Sequence, residues 1–297
     1  MKVIFAGTLL AILAYDSGTS AAAEPAARVL VVVGPSTHYP GSHEVGAGGR
    51  LIAWCAEHAS NVPGISAEVS TGWPSEPAKR ERASTIVFIG DTFPPARLPE
   101  TDKIMGELAA MMNRGCGIVC VHYATGLRGE DVPADGDHEL LRWMGGYFAT
   151  GKSTHHKSIA RIFDATIEPG EGTHPVCRGW RAFTLDDEPY YNNYFGPSGM
   201  VEGVSTLATS MLPPEKPGRE VVAWGIQRKD GGRGVGVVMP HFYKNWTNDD
   251  LRRLVMNAVV WTARLDVPPD GVATPVPHLE AFGPESIEPK PKPAKTK

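Results

Sequence analysis

Arg28-Val29-Leu30-Val31-Val32-Val33 runs straight into Gly34-Pro35. A strand with one face in water alternates apolar and polar residues. An unbroken apolar run of this length therefore marks a strand covered on both faces, as in a parallel sheet. Reading outward supports this. After a polar loop, Leu51, Ile52, Trp54 and Cys55 recur at helical spacing up to about His58. Residues 65–71 read as a second strand, 85–90 as a third, 102–113 as a helix and 117–121 as a fourth strand. Strand and helix alternating in this way predict a doubly wound α/β fold.

From residue 155 to 238 the pattern changes. Segments 159–163, 204–208, 221–226 and 234–238 read as extended, with little helix between them, and Asp230-Gly231-Gly232 is a hairpin signal between the last two. The expectation is a mainly parallel sheet with an antiparallel excursion. A final helix over about 248–263 opens with Asn248-Asp249-Asp250 at the positive helix end and carries Leu251, Leu254, Val255 and Val259 on one face. Beyond it, the Pro/Lys-rich stretch 267–297 shows no apolar period and reads as a mobile tail. At the other end, Lys2, the apolar run 3–15 and Ala21-Ala22-Ala23 match an export signal cleaved near residue 23. The run falls short of the ~20 apolar residues a spanning helix needs. A soluble exported domain over 24–266, periplasmic or secreted and not inserted in a membrane, is expected.

The chain carries 29 basic and 33 acidic side chains for a net charge of −4. The basic ones form no stripe with interleaved aromatics, which argues against nucleic acid as a partner. Four cysteines are too few for a disulfide scaffold in 297 residues. Cys116 and Cys120 flank one predicted strand, about 13 Å apart at ~3.3 Å per residue, too far for a bridge or a shared zinc. They and Cys55 read as core thiols. Gly46-Ala47-Gly48-Gly49 departs from Gly-x-Gly-x-x-Gly, and the glycines at 231–236 precede a strand instead of a helix, so neither cradles a phosphate. The sequence also lacks a Gly-x-Ser-x-Gly elbow.

In an open parallel sheet, ligands bind at the carboxyl ends of the strands. His38, His43 and Glu44 follow the first strand, His122 and Tyr123 the fourth, and His241 the last. Three strand ends thus deliver imidazole toward one cleft. Asp186, Asp187 and Glu188 add carboxylates beside Tyr190 and Tyr191, and strand period would put Asp186, Glu188 and Tyr190 on one face. Such a group suits general acid–base work. It equally suits a divalent metal such as zinc, with His38, His122 and His241 as ligands, Glu188 beside them and one position open. The same side chains working without metal is the alternative.

These segments carry a resemblance. The strand and loop ending in His43-Glu44, Gly117-Ile-Val-Cys-Val-His122, Thr173-His174-Pro175-Val176, Asp187-Glu188-Pro189-Tyr190, Val222-Ala223-Trp224, and Gly232-Arg233-Gly234 followed by Pro240-His241 occur in the order of the ThuA-like family, named for trehalose utilisation. The chain resembles that family from about 28 to 263, and in particular its exported members with Ser/Thr-His-x-Pro-Gly-x-His-Glu after the first strand.

The resemblance implies a flavodoxin-like, class I glutamine amidotransferase-like three-layer fold and a role on disaccharides or their oxidised keto forms. It points to His43 or His38, His122, Glu188, Tyr190 and His241 as site residues; His174, a family marker ahead of a short turn, and Trp224 read as structural. His122 occupies the turn where true amidotransferases carry a cysteine nucleophile, with Cys120 back inside the strand, so glutamine hydrolysis lacks its nucleophile. The expected ligand is a carbohydrate, met by His43, Glu44, Tyr190, Tyr191 and Trp246, since aromatic rings stack on sugars while imidazoles and carboxylates bond hydroxyls. The expected chemistry is proton transfer next to a keto group by a lyase, hydratase/hydrolase or isomerase. His122 or Glu188 is the base, and His241 or a metal stabilises the enolate oxygen. Ordinary glycoside hydrolysis would need two carboxyls ~5 to 9.5 Å apart, and one acidic cluster is evident. A non-catalytic sugar-binding or scaffold protein on the same fold is the other reading.

Overall fold

The computed structural model describes residues 24–170 and 173–291; the expected export signal, 1–23, lies outside them. The run that opened the reading is strand β1 (Ala27–Val33), its last five residues all buried. With β2 (Ile65–Thr71), β3 (Thr85–Ile89) and β4 (Gly117–Val121) it forms a parallel row in the order β2-β1-β3-β4. Between them run α1 (Val45–Glu57), α2 (Pro77–Arg82) and α3 (Thr101–Asn113). The two-residue strands β5 (Gly126–Leu127) and β6 (Phe148–Ala149) pair with each other around α4 (Glu139–Met144).

The remaining strands are β7 (Phe163–Pro169), β8 (Phe183–Asp187), β9 (Val204–Leu212), β10 (Gly218–Gln227) and β11 (Arg233–Val237). β11 lies parallel beside β4, which completes the 2-1-3-4-5 order of a flavodoxin-like sheet. From β11 outward the sheet continues antiparallel through β10, β9, β7 and β8. The antiparallel part is thus four strands of a nine-stranded sheet. β7 and β8 account for the difference: their strict alternation of buried and exposed residues leaves few apolar positions for a sequence reading to find. The hairpin between β10 and β11 turns at Asp230, whose carboxylate accepts the Gly232 N–H at 2.7 Å.

Helix α1 starts at Val45, six residues before the predicted periodicity. Its glycines hide that start. A Cβ on Gly49 would stand 2.6 Å from Val33 Cγ2, so the helix lies closer to β1 than any larger residue permits. Helix α5 (Asp249–Thr262) buries Leu251, Leu254, Val255 and Val259 as expected, and Asn248 caps it by accepting the Leu251 N–H at 2.9 Å. On β10, Trp224 is fully buried, and its ring occupies the space that Gly236 leaves open on β11. All four cysteines are free and buried, and burial pushes the thiols of Cys55, Cys116 and Cys120 well above their ordinary range.

The stretch beyond 266 departs from expectation. Through residue 291 it is packed: Val267, Val272, Leu279 and Phe282 are buried, and Asn257 accepts the Val272 N–H at 2.8 Å. Isolated apolar residues between prolines carry no period, yet each fills a separate dent in the domain. Among the described residues, no helix is long and apolar enough to cross a membrane.

Candidate functional site

The loops after β1, β3, β4 and β11 converge over the carboxyl end of the parallel row, where the strand order reverses between β1 and β3. The chain turns sharply to reach this point. His43 has φ of +46° and His122, the first residue after β4, has φ of +50°. Such left-handed backbone costs an L-residue about 1–2 kcal/mol and persists where the surroundings hold it. We therefore expect His122→Gly to be more stable than His122→Ala by about 1 kcal/mol, read from urea unfolding. Equal stabilities would remove strain from the account.

Three imidazoles meet there. His43 Nε2 is 2.9 Å from His122 Nε2 and 2.9 Å from His241 Nδ1, and the last two are 3.1 Å apart. Glu188 Oε2 is 3.4 Å from His241 Nδ1 and 4.0 Å from His122 Nε2. These four donor atoms lie within 4.8 Å of one another, an arrangement able to hold a metal ion. The three histidines are buried and Glu188 is half-buried, so the carboxylate is the member facing outward.

The far side of two rings is fixed. His43 Nδ1 donates to Asp91 Oδ1 at 2.6 Å, and His122 Nδ1 donates to the Val238 carbonyl at 2.9 Å. Those bonds set the tautomers and turn both Nε2 lone pairs toward the common centre. A carboxylate or carbonyl behind the ring is what metal-ligating histidines use. Two lone pairs 2.9 Å apart repel unless a proton or a cation lies between them. The spacing also approaches the about 3.3 Å between nitrogens on a tetrahedral zinc with 2.0–2.1 Å bonds.

Asp91 anchors the outer layer. It also accepts from His38 Nδ1 and from the Thr37 N–H, at 2.9 and 2.8 Å. Burial alone would raise its pKa, but the hydrogen bonds and charges of His38 and His43 outweigh burial and hold the carboxyl far below the usual range. A carboxyl depressed on folding contributes stability that is present above its unfolded value of about 3.9 and lost progressively as pH falls from there toward the lower folded value. Denaturant melts between pH 2 and 7 should show this acid loss, with a flatter profile for Asp91→Asn. An unchanged profile would mean that the pairing carries no stability.

Burial also lowers the pKa of His122, with the charges of His43 and His241 acting in the same direction. It raises Tyr190, whose hydroxyl donates to His122 Nε2 at 3.0 Å. Asp187 is pushed up to about 6 by complete burial, against the opposing bonds it accepts. Its Oδ1 takes the N–H groups of Glu188 and His241, each at 2.7 Å, and Oδ2 takes the Asn245 amide at 3.0 Å. It thereby fixes the backbone on both sides of the cluster.

The other residues singled out in the sequence are placed as follows. His38 lies outside this group of four: its ring stacks on His43 with centroids 3.5 Å apart, and with His43 and Asp91 it forms a second group whose atoms are close enough to hold an ion. Asp186 is exposed near the end of β8, 3.9 Å from Lys244 Nζ, and is not part of the group of four. Trp246 is buried beside Gly48 and lines a small cavity together with His43, His122 and His241. Tyr191 is likewise buried, in a bridge to Ile159. Glu44 accepts backbone N–H groups of Gly41, Glu285 and Ser286 and does not reach the imidazoles. His174 stands apart, capping a 3₁₀ turn and packing edge-on against Trp261. Asp91 escaped the sequence reading although it follows a strand, as the histidines do.

Outside the cluster a cleft of about 410 Å³ opens, within the ~300–1,000 Å³ usual for small-molecule sites. Glu188, His38, Tyr123, Tyr190, Phe148 and Lys157 are among its lining residues.

No family model and no curated protein sequence matches the chain. Among solved structures it is similar to a protein from Bacteroides uniformis described as ThuA-like, at 15% identity and a TM-score of 0.58, over 84% of this chain and 96% of that one. It is also similar to part of a GH42 β-galactosidase, Gan42B, at 8% identity and a TM-score of 0.50, over 81% of this chain and 30% of that enzyme. The chain has the fold of a ThuA-like protein.

Proposed function

We propose that the protein acts on a carbohydrate, abstracting a proton from a carbon beside a keto group, at a divalent metal centre held by His43, His122, His241 and Glu188. The observation carrying this reading is the convergence of three buried imidazoles and one carboxylate below an open cleft. The donor set suits zinc and other first-row divalent ions. When bound, the ion supplies Lewis acidity that stabilises negative charge on a substrate oxygen.

The chain's own groups do the rest. Glu188 reaches both the cluster and the cleft, so its carboxylate is placed to take the proton; the C–H electron pair becomes the new C=C bond and the carbonyl π pair moves to the enolate oxygen. Tyr190 keeps its proton at neutral pH because burial raises it, with Glu188 adding in the same sense. Its hydroxyl, 3.0 Å from His122 Nε2, would turn to donate to that oxygen when that nitrogen holds the ion. His38 and Tyr123 stand at the cleft wall, where they can bond or pack against a sugar ring. The resemblance to a family named for trehalose utilisation supports a sugar ligand, and the fold shared with part of a β-galactosidase is in keeping with it.

The test is deuterium uptake into a 3-keto-disaccharide in heavy water after adding metal-replete protein, alongside elemental analysis before and after chelation. Uptake that chelation abolishes supports the reading. If no sugar in a panel shows uptake or product while calorimetry detects binding, the non-catalytic sugar-binding reading takes its place.

A further inference from the structure

Residues 278–290 form a strap joined to two of the three loops that carry the cluster's histidines, those of His43 and His241. Its 3₁₀ turn (Leu279–Phe282) buries Leu279 and Phe282, and Phe282 meets Trp54 of α1 edge to face with centroids 5.6 Å apart. Arg50, also on α1, donates to the Phe282 carbonyl from Nε at 2.9 Å and Nη2 at 2.6 Å. Tyr243, two residues beyond His241, donates its hydroxyl to the Leu279 carbonyl at 3.1 Å. Farther along, the Lys290 N–H donates to the Pro40 carbonyl at 2.9 Å, within the loop between His38 and His43.

Glu44 sits where the strap and that loop touch. Its Oε2 accepts the Glu285 N–H at 2.9 Å, and its Oε1 accepts the N–H groups of Ser286 at 3.0 Å and Gly41 at 2.8 Å. Three backbone donors on one carboxylate are charge-assisted bonds, stronger than neutral ones. Glu44 directly follows His43, whose N–H in turn donates to the His241 carbonyl at 3.0 Å. Strap, loop and cluster are therefore joined through a continuous set of hydrogen bonds.

We infer that Glu44 is a positioning residue, one that clamps the strap to the β1–α1 loop and so holds His43 Nε2 at the cluster. The inference rests on the proposal that His43 is a metal ligand. Without the clamp, the loop trades a single geometry for several, and the ligand set loses its pre-organisation. Substituting Arg50 releases the same strap from α1 without altering any residue of the loop.

The experiment uses the full chain with Glu44→Ala, Glu44→Gln, Arg50→Ala and the Glu44→Ala/Arg50→Ala double variant. Hydrogen exchange at the amides of 41–43 should speed up in the order Gln, then Ala, with Arg50→Ala moving the same amides and core strand β4 unchanged. Cobalt(II) affinity should fall about 10-fold in Glu44→Ala, with a changed visible spectrum that a purely stabilising residue would not produce. The double variant should lose less than the product of the single losses, because both act through one strap. Unaltered exchange at 41–43 in both Glu44→Gln and Arg50→Ala would overturn the clamp. So would an unchanged cobalt spectrum and affinity in Glu44→Ala with the loop loosened. If the unsubstituted protein binds no cobalt, the metal reading fails by itself, while the exchange data still decide whether Glu44 clamps the loop.

Discussion

Alanine at His122 is expected to weaken divalent-cation binding by more than about 100-fold, beyond the about 10–100-fold that loss of an outer hydrogen-bond partner costs. His122 supplies one of three nitrogens packed 2.9–3.1 Å apart, and the other two cannot close the set alone. Alanine at His43 or His241 should act alike. Asp91→Asn should fall in the lower range, since it leaves every donor in place and removes only the carboxylate that orients His43. Competition against a chromophoric chelator gives the affinities, and deuterium uptake into a keto sugar should fall in the same rank order. Full cation affinity in His122→Ala would remove the metal centre as described. Full uptake with lost affinity would move the chemistry to Glu188 and Tyr190 alone.

The second large effect concerns stability. Trp224→Ala should cost roughly 3–5 kcal/mol, as loss of a fully buried indole does. The ring fits against Gly236 and meets Phe195 with centroids 5.2 Å apart, so nothing nearby can fill its place. Trp224→Phe should cost less than about 1.5 kcal/mol. The indole N–H is buried with no acceptor among the described residues, so its removal relieves a desolvation penalty. Urea unfolding of the two variants checks the contrast. A phenylalanine variant as unstable as the alanine one would show that this N–H matters.

Neither prediction depends on features hidden from the sequence, for His122 and Trp224 were both assigned from it. What the sequence displayed was the parallel half of the sheet. Runs such as 29–33 and 117–121 are apolar throughout because both faces are covered. Strand-end logic then located His43, His122 and His241. It left open which of His38 and His43 is inner, because both follow one strand and only the loop's left-handed turn at His43 decides. Asp91 was missed for a related reason. A lone aspartate has no signature until its histidine partners are known in space. The burial of Trp246 was not legible, because aromatic residues read alike whether they line a cavity or fill a core. The packed segment 267–291 was misjudged because backbone N–H and carbonyl groups hold much of it, and these are the same in every sequence.

The junction between β4 and β11 has a bearing on how the molecule comes into being. Ile118 pairs with Gly234, so neighbours in the sheet are far apart along the chain. Pairing of this kind forms slowly, since a long loop must close before any contact rewards it. During synthesis the first four strands emerge well before β11 and His241. The cluster cannot exist until the whole antiparallel half has been made and docked. Assembly of the cluster is therefore a late event in folding, and on the proposed metal reading the onset of cation binding would report closure of this seam.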